Sequence, residues 1–529
     1  MDAHCPQCVA FVTDNFPPLP VVNSEIMDFT RTNITPPDNV SQIVTEYLAE
    51  AKKRLAIITE KADHAKETLR LLRHHQKVLR TAIESHQTIV HPIRRLPSEV
   101  LSVIFKACVE SSDITDLFES TVPEHHRLRN SLNSSHPPWT LTRVCRSWRS
   151  VALSCSSLWS YVAIPLPHCY MGVQHSQHTL MQLILQLQRS KLRPLTVSIT
   201  YPKCPNHNQP RHGKEHLVAL CSQSWRWDSV HLSFASHSDD FFWTICSIAG
   251  DNVPLLQRLF LEYVHTPNLD GLNSAPGLRE LSICAPNNSI RRGSLHLPWS
   301  QITRFCFKPQ SSGGDVSFSF LRDMPNLESL VVIVWATPLS VLVPPLSEFP
   351  ALQTFTIVTI EDTTIPAAFL DAFVLEHLHD LCVDRVFDVD ALTRMLKRTP
   401  TIRSLSLRAR DGLNAADLVA CIACAPNLES LTLCDVPNGV IDALAGTIPG
   451  SVENSLLLEH LRKLTLYAPC AVERAQLLRL AEVRGAGFTL ELDRTLSLDS
   501  ETKEGLDKTQ GLAVSHINAH GWRAFLGQR

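Results

Sequence analysis

The feature that most constrains this chain is a short apolar pattern, L-x-x-L-x-L, which returns nine times between residues 254 and 466. Clear copies are Pro254-Leu-Leu256-Gln-Arg-Leu259-Phe-Leu261, Pro276-Gly-Leu278-Arg-Glu-Leu281-Ser-Ile283 and Pro426-Asn-Leu428-Glu-Ser-Leu431-Thr-Leu433. Between them stand copies led by Ile302, Leu327, Leu352, Leu378 and Ile402, and Leu461 leads the last. Successive copies lie 22, 24, 25, 25, 26, 24, 26 and 33 residues apart. A fixed apolar core at a period of about 20–29 residues marks a stacked repeat, in which no unit can bury its own apolar face alone. The first apolar residue turns the chain inward, and the next two alternate along a short strand with their side chains in the core. The residue between them points to the other face. An apolar residue also stands four before the proline at Leu272, Leu321, Leu346, Leu396 and Ile422. Two crossovers read as helices, with Leu392, Met395 and Leu396, then Leu418, Cys421 and Ile422; the proline stops each one, because the residue before it resists the α region.

The pattern therefore predicts strand plus crossover, often helical, stacking parallel strands into a solenoid. This period and core resemble the leucine-rich repeat, without its usual asparagine after the third leucine, so an irregular array is expected. Poorer candidate strands lie upstream at Leu192 to Val197 and Trp227 to Leu232. Phe488-Thr-Leu490-Glu-Leu492 reads as a final strand. The repeat region is taken as 163–493, with 494–529 as a loose tail.

The N-terminal part is organised differently. Residues 1–39 carry Pro17, Pro18, Pro20, Pro36 and Pro37 and read as a flexible arm. Over 40–90, apolar residues recur every seven at Val44, Ala51, Ile58, Ala65, Leu72 and Leu79. A second row stands at Leu48, Leu55, Ala62, Leu69 and Ile83, interrupted by Gln76. Two such rows form a heptad seam, and no Pro or Gly interrupts it, so one helix of about 40 residues is predicted. Three alanines make the seam shallow, and a weak homodimer or packing on the chain itself is expected. His91-Pro92 ends the helix.

Over 91–162 two short helices are expected. Pro97 suits a first helical turn, and Leu96, Val100, Leu101, Ile104 and Phe105 share one face. Residues 110–138 read as an inserted polar loop. A second helix from Trp139 carries Leu141, Val144, Cys145 and Trp148, extended by Val151 and Ala152, before Leu158-Trp159. Leu96-Pro97 with Glu99, the Ile104-Phe105 pair, Val144-Cys145-Arg146-Ser147-Trp148-Arg149 and Leu158-Trp159 resemble an F-box of the style common in fungal proteins. The resemblance covers about residues 92–162 and departs from the compact motif in its longer loop. It implies docking on a Skp-type adaptor, and through it a cullin, by Leu96, Pro97, Glu99, Val100, Leu101, Ile104, Phe105, Leu141, Val144, Cys145 and Trp148.

Composition narrows the function further. Lys+Arg number 49 against Asp+Glu 52, a balance that argues against a nucleic-acid binder. No apolar run is long enough to span a bilayer. The first ten residues lack a secretory pattern, so the sixteen cysteines are expected as reduced thiols in the cytosol or nucleus. Cys5 and Cys8, or Cys421 and Cys424, have zinc-ligand spacing without a second pair. Cys204, His207, His212 and His216 sit in a polar loop and are read as solvated. No nucleotide-binding, nucleophile-elbow or metalloprotease motif is present, and no catalytic residue, cofactor or metal is expected.

The reading is an α/β protein: long helix, F-box-like helices and leucine-rich repeat solenoid. It would act as the substrate-recognition subunit of a ubiquitin ligase, with an unknown protein target on the repeats. Outward strand positions Arg258, Phe260, Arg304, Asp380, Ser406 and Thr432 are the candidate partner-binding residues. Two alternatives stay open: a ligase-independent interaction scaffold, and an enzyme whose site would show as a cluster of titratable residues on the strand face.

Overall fold

The structure is a computed structural model of the chain. It describes residues 26, 29–30, 34–109, 130–166, 173–201, 213–234, 239–250, 252–262, 275–286, 297–310, 316–334, 341–342, 347–359, 367–386, 388–409, 413–435, 437, 439–446, 457–467, 473–485, 487–493, 506 and 513–517. Two compact units form, Met1–Pro97 and Ser98–Arg529. The division falls inside the segment assigned to the F-box. Nearly all of the proposed N-terminal arm lies outside the described residues.

In the first unit the heptad pattern becomes one helix, α1 (Asp38–Val90), of 53 residues. It is longer than its seam because nothing breaks it before His91-Pro92, where a short 3₁₀ turn follows. Exposed pairs such as Arg54–Glu50 and Arg70–Glu67 line it. The seam leucines stay exposed along its length.

The second unit opens with α2 (Ser98–Val109), α3 (Leu141–Val144) and α4 (Arg146–Ser154). The single helix expected from Trp139 is therefore two. Cys145 takes an extended conformation between them, and its Sγ accepts a hydrogen bond from the Trp148 amide at the start of α4. Phe105 of α2 packs on Trp148 of α4 with ring centroids 4.9 Å apart. Trp159, in the turn after α4, donates its indole N–H to the Ala152 carbonyl at 2.8 Å.

Apart from two short parallel pairs, Val316–Ser317 with Val341–Leu342 and Ser347–Glu348 with Phe373–Val374, the strands among the described residues number fourteen, all parallel, hydrogen-bonded in chain order into one open sheet. They are β1 (Tyr161–Pro165), β2 (Leu195–Tyr201), β3 (Trp227–Phe234), β4 (Arg258–Glu262), β5 (Glu280–Pro286), β6 (Arg304–Gln310) and β7 (Ser329–Val334). Then come β8 (Thr354–Thr359), β9 (Asp380–Val386), β10 (Ser404–Ala409), β11 (Ser430–Cys434), β12 (Lys463–Tyr467), β13 (Thr489–Asp493) and β14 (Ala513–Ile517). Both weak upstream candidates are strands. β1 begins two residues before the expected boundary, and the tail contributes β14. Neither strand was foreseen, because neither carries the leucine core. Ala513-Val-Ser-His-Ile517 alternates too briefly to stand out, and it forms by pairing along β13.

The register explains the repeat. Leu381, Leu405, Leu431, Leu464 and Leu490 occupy one continuous column across β9 to β13. Val383, Leu407, Leu433, Leu466 and Leu492 form the next inward column. All ten are buried in one core. Before each of β5 to β12 the first apolar residue's turn repeats a backbone device. The amides of Arg403 and Ser404 both donate to the His379 carbonyl at 2.9 Å, and those of Glu429 and Ser430 then use the Arg403 carbonyl. Residues after the prolines reach back one unit as well: Asn427 Nδ2 donates to the Pro400 carbonyl at 2.9 Å, and Asn326 Nδ2 to that of Ser300 at 2.7 Å.

The crossovers differ in kind. Helices α5 (Val173–Ser190), α6 (Lys214–Cys221), α7 (Asp239–Ala249) and α8 (Ala367–Asp371) serve the first half and middle. The later ones are α9 (Val389–Arg398), α10 (Ala415–Ile422), α11 (Val440–Leu444) and α12 (Arg474–Arg484). Helices α9 and α10 are the two expected from the pattern. Asp388 caps α9 by accepting from the Ala391 amide, and Asn414 caps α10 by accepting from that of Ala416. Between β6 and β9 phenylalanines fill the core: Phe305 and Phe320 lie 5.6 Å apart, Phe318 and Phe369 5.0 Å, and Phe355 and Phe373 5.2 Å.

Both ends of the helical layer are tied by an arginine, Arg226 fully buried and Arg484 half-buried. Arg226 donates to Ser190 Oγ and to the Leu187 and Arg193 carbonyls. Arg484 donates to the carbonyls of Leu444, Leu457 and Leu458. The β1 edge is covered too. The Ser131 amide donates to the Ala163 carbonyl at 2.8 Å, and the Ala163 amide returns a bond to Ser131 Oγ. Residues 130–138, read as part of a polar loop, are thus a packed edge cover in which Leu132 is buried; 110–129 lie outside the described residues. The cover works because an open parallel edge exposes a row of backbone groups that must be satisfied.

Truncating Leu405 or Leu431 to alanine should cost about 2–5 kcal/mol, from lost transfer energy plus a cavity. Ser406→Ala, between the two inward columns, should cost less than about 1.5 kcal/mol. Urea unfolding measures both, and amide exchange should rise first in β9 to β12 for the leucine variants.

Candidate functional site

Two surfaces hold the residues singled out in the sequence. The first is α2. Its stripe divides in two. Leu101 and Phe105 point inward and are buried, whereas Val100, Val103 and Ile104 are 43%, 66% and 38% exposed. Spacings of three and four put those three side chains on one face of the helix. The predicted Leu96, Val100, Leu101, Ile104 and Phe105 face is thus an inner pair beside an outer apolar strip. Val103 was missed, because it looked like helix filler rather than part of the stripe. On α3, Leu141 is buried and Val144 exposed; Cys145 is exposed and Trp148 half-buried. Pro97 and Glu99 are exposed, and Leu96 is half-buried.

The inner side is anchored to the sheet. Trp139 and Trp159 meet edge to face at 5.0 Å, and the Arg189 guanidinium from α5 lies over both, 4.9 Å and 4.4 Å from the ring centroids. Burial lowers the Arg189 pKa, and Arg149 adds repulsion. Trp139 Nε1 donates to the Ser131 carbonyl, and Gln186 of α5 bridges Ser131 to the Tyr161 carbonyl. These contacts hold the exposed strip of α2 on a rigid base.

The second surface is the sheet face away from the leucine columns. Its central row runs Ser198, His231, Phe260, Ser282, Cys306, Val331, Thr356, Cys382, Ser406, Thr432 and Thr465 in register. Of the predicted partner-binding residues, Phe260, Ser406 and Thr432 are buried rather than presented to solvent. Parallel strands about 4.8 Å apart let each short side chain be shielded by its neighbours in the row. Asp380 is exposed; Arg258 and Arg304 are partly so. Arg258 bonds Asp228 at 3.1 Å and Ser229 at 2.7 Å, and Arg304 bonds Glu280 at 3.2 Å.

This face contains the kind of titratable cluster an enzyme would need. Ser198 Oγ lies 2.9 Å from His231 Nδ1, and Nε2 of the same ring lies 3.4 Å from Glu262 Oε2. Serine, histidine and carboxylate in that order are the parts of an acyl-transfer triad. Ser198 and His231 have no solvent-accessible surface, so no substrate reaches the hydroxyl in this arrangement. The chain of contacts links β2, β3 and β4 across one buried polar seam. Sequence reasoning missed it because the three residues lie in strands whose pairing the pattern did not reveal.

At the other end, Lys463 pairs with Glu491 at 2.9 Å, and Thr465 Oγ1 donates to the same carboxylate at 3.0 Å. Burial, with the carboxylates of Glu491 and Asp493 and the thiol of Cys434, pushes the Tyr467 phenol up to about 12. A shallow cleft of about 480 Å³ runs along the turns before β9 to β12, lined by His379, Arg403, Glu429, His460 and Arg462 among others.

Of the metal candidates, His216 is buried with Nε2 3.0 Å from Thr179 Oγ1, and burial lowers its pKa. Cys421 is buried, its thiol pushed up to about 11 mainly by desolvation. Cys5, Cys8, Cys204, His207 and His212 lie outside the described residues. Among the described residues no three metal-binding side chains gather, and no helix is long and apolar enough to cross a membrane. No protein-family model matches the chain, and no curated protein matches it.

Ser198→Ala should destabilise the fold by about 1–3 kcal/mol, the cost of stripping a buried partner from His231; thermal unfolding measures it. For Tyr467 the sign is set by its raised pKa. The unfolded phenol ionises near pH 10 while the folded one keeps its proton, so its contribution to stability falls as pH rises from about 10 to about 12. Ultraviolet pH titration should show one late-ionising tyrosine that is absent from Tyr467→Phe.

Proposed function

We propose that this chain is the substrate-recognition adaptor of an SCF-type cullin ubiquitin ligase, a leucine-rich repeat solenoid carrying an F-box. The observation that carries the reading is the outer strip of α2. Val100, Val103 and Ile104 are exposed while the same helix is pinned from behind by Leu101 and Phe105. An apolar strip on a rigid helix is the chemistry of a docking face. In the resembling family that position belongs to the Skp-type adaptor, with Leu96, Pro97 and Glu99 ahead of it and Val144 and Cys145 beyond.

The parallel sheet with its L-x-x-L-x-L register supports the repeat reading. Such an array presents a long surface to a protein target, and holding the target near the transfer site raises its effective concentration there. The exposed charges at Asp380, Arg403 and Arg462, with the partly exposed Arg304, are the groups that would contact the target.

Val100→Asp combined with Ile104→Asp should abolish co-purification of a Skp-type adaptor and cullin while lowering the thermal melt far less than a change at Phe105, because both side chains lie partly in water. Phe105→Ala, by contrast, should destabilise the helical part by about 3–5 kcal/mol. Unchanged adaptor capture by a folded double variant would favour a ligase-independent scaffold.

A further inference from the structure

The seam of α1 carries information in its borders. With Leu48, Leu55, Ala62, Leu69, Gln76 and Ile83 at heptad position a, the d positions are Val44, Ala51, Ile58, Ala65, Leu72 and Leu79. The flanking e positions then hold Lys52, Lys66, Arg73 and Arg80, and the g positions hold Arg54, Lys61 and His75. Between residues 44 and 86 no acid stands at either flank. Glu46, Glu50, Glu60, Asp63, Glu67 and Glu84 all fall at b, c or f, away from the seam. The seam itself is open: Leu55 is 64% and Leu79 63% exposed.

Flanking charges decide which helix such a seam accepts. A second copy laid parallel sets Lys61 opposite Lys66 and His75 opposite Arg80. Laid antiparallel, it sets e against e and g against g, again cation against cation. Either way a shallow alanine-containing seam has little apolar area to offset the repulsion. The intrahelical pairs Arg54–Glu50 and Lys66–Asp63 are exposed, so they compete weakly for these cations. An anionic bilayer would also attract them, but an interfacial helix needs a broad apolar face with bulky anchors. Here the seam is two residues in seven, holds Ala51, Ala62, Ala65 and Gln76, and has no aromatic side chain. The other large exposed apolar residues between 43 and 83, Ile43, Ile57, Leu71 and Val78, fall at c, beyond the cations of g, so they do not widen it into one continuous face.

We propose that α1 docks an amphipathic helix of another protein, one with an apolar seam flanked by glutamate or aspartate. Cations on both borders meet acids on both borders, and the alanines let the two backbones approach closely. The proposal does not depend on the adaptor reading, since no residue of α2 takes part.

The test uses the full chain and two synthetic six-heptad peptides with leucine at a and d, one with glutamate and one with lysine at every e and g. Fluorescence anisotropy should show the glutamate peptide binding more tightly by about tenfold or more, with the preference shrinking as salt rises. Reversing Lys52→Glu, Lys61→Glu, Lys66→Glu, Arg73→Glu and Arg80→Glu together, all solvent-exposed, should transfer the preference to the lysine peptide. Circular dichroism of that variant checks that the helix persists. Equal binding of both peptides, or of neither, overturns the proposal. So does a tight self-dimer in sedimentation, which would make the occupant a second copy. Retention on phosphatidylserine vesicles with no preference between the peptides would make it a membrane surface and overturn it equally.

Discussion

The sheet depends on one register being kept from strand to strand. Side chains along a strand alternate with a period of two, so a slip of one residue would carry Leu405 and Leu407 out of the core and bring Ser404 and Ser406 in. The slip is opposed at the turns before β5 to β12, where a single carbonyl such as that of His379 or Arg403 receives two successive amides from the next unit. The residue after the proline adds a second tie by reaching back to the preceding turn, as Asn427 does to Pro400. Register is thus fixed locally, unit by unit, before the leucine columns are complete.

Because each strand satisfies only its neighbours, the ends carry a disproportionate burden. At β1 the edge is covered by residues 130–133 and backed by the two tryptophans and Arg189. The same group holds α4 and, through Phe105 and Trp148, α2. The helices that resemble an F-box are therefore also what satisfies the edge of the sheet, which couples the stability of β1 to that of the helical part. Crossover chemistry follows the same economy of neighbours. Between β6 and β9, where the described crossovers hold only short helical turns, Phe305, Phe318, Phe320, Phe355 and Phe369 fill the core; beside the longer helices smaller side chains such as leucine, isoleucine and alanine do so.

Much of this was legible in the sequence, and the limits have physical causes. The leucine core marks a strand wherever two inward residues flank an outward one, so β4 to β13 could be read directly, and β2 and β3 more faintly. Strands β1 and β14 could not, since end strands bury one face against a single neighbour and need no full core. The helix α1 was legible through its period, and its true length followed only from the absence of any stop signal. On α2 the pattern named the right helix yet merged its two sides, because Val100 and Leu101 are adjacent in sequence and opposite in environment. The contact of Ser198 with His231 was invisible, since it depends on pairing two strands 33 residues apart. The burial of Phe260, Ser406 and Thr432 was hidden for a related reason: alternation tells which face a side chain takes and says nothing of how much water reaches that face.

A chain that can bury apolar groups this thoroughly makes its exceptions informative. Every leucine of the strand cores is dry, and even the polar rows of the opposite face are largely shielded. Against that background the seam of α1 and the outer strip of α2 are contiguous apolar rows left in water, on helices whose own packing does not require it. Scattered exposed leucines are ordinary on a protein surface, whereas rows aligned at helical spacing are not. The two rows also differ in their borders. The α1 seam is rimmed by cations; Val100, Val103 and Ile104 have only Glu99 and Lys106 as charged residues close by in sequence. Surfaces with such different electrostatics select different partners. On the proposed readings, the two rows would therefore take different partners, since the cation-rimmed seam favours an acidic helix and the nearly uncharged strip does not.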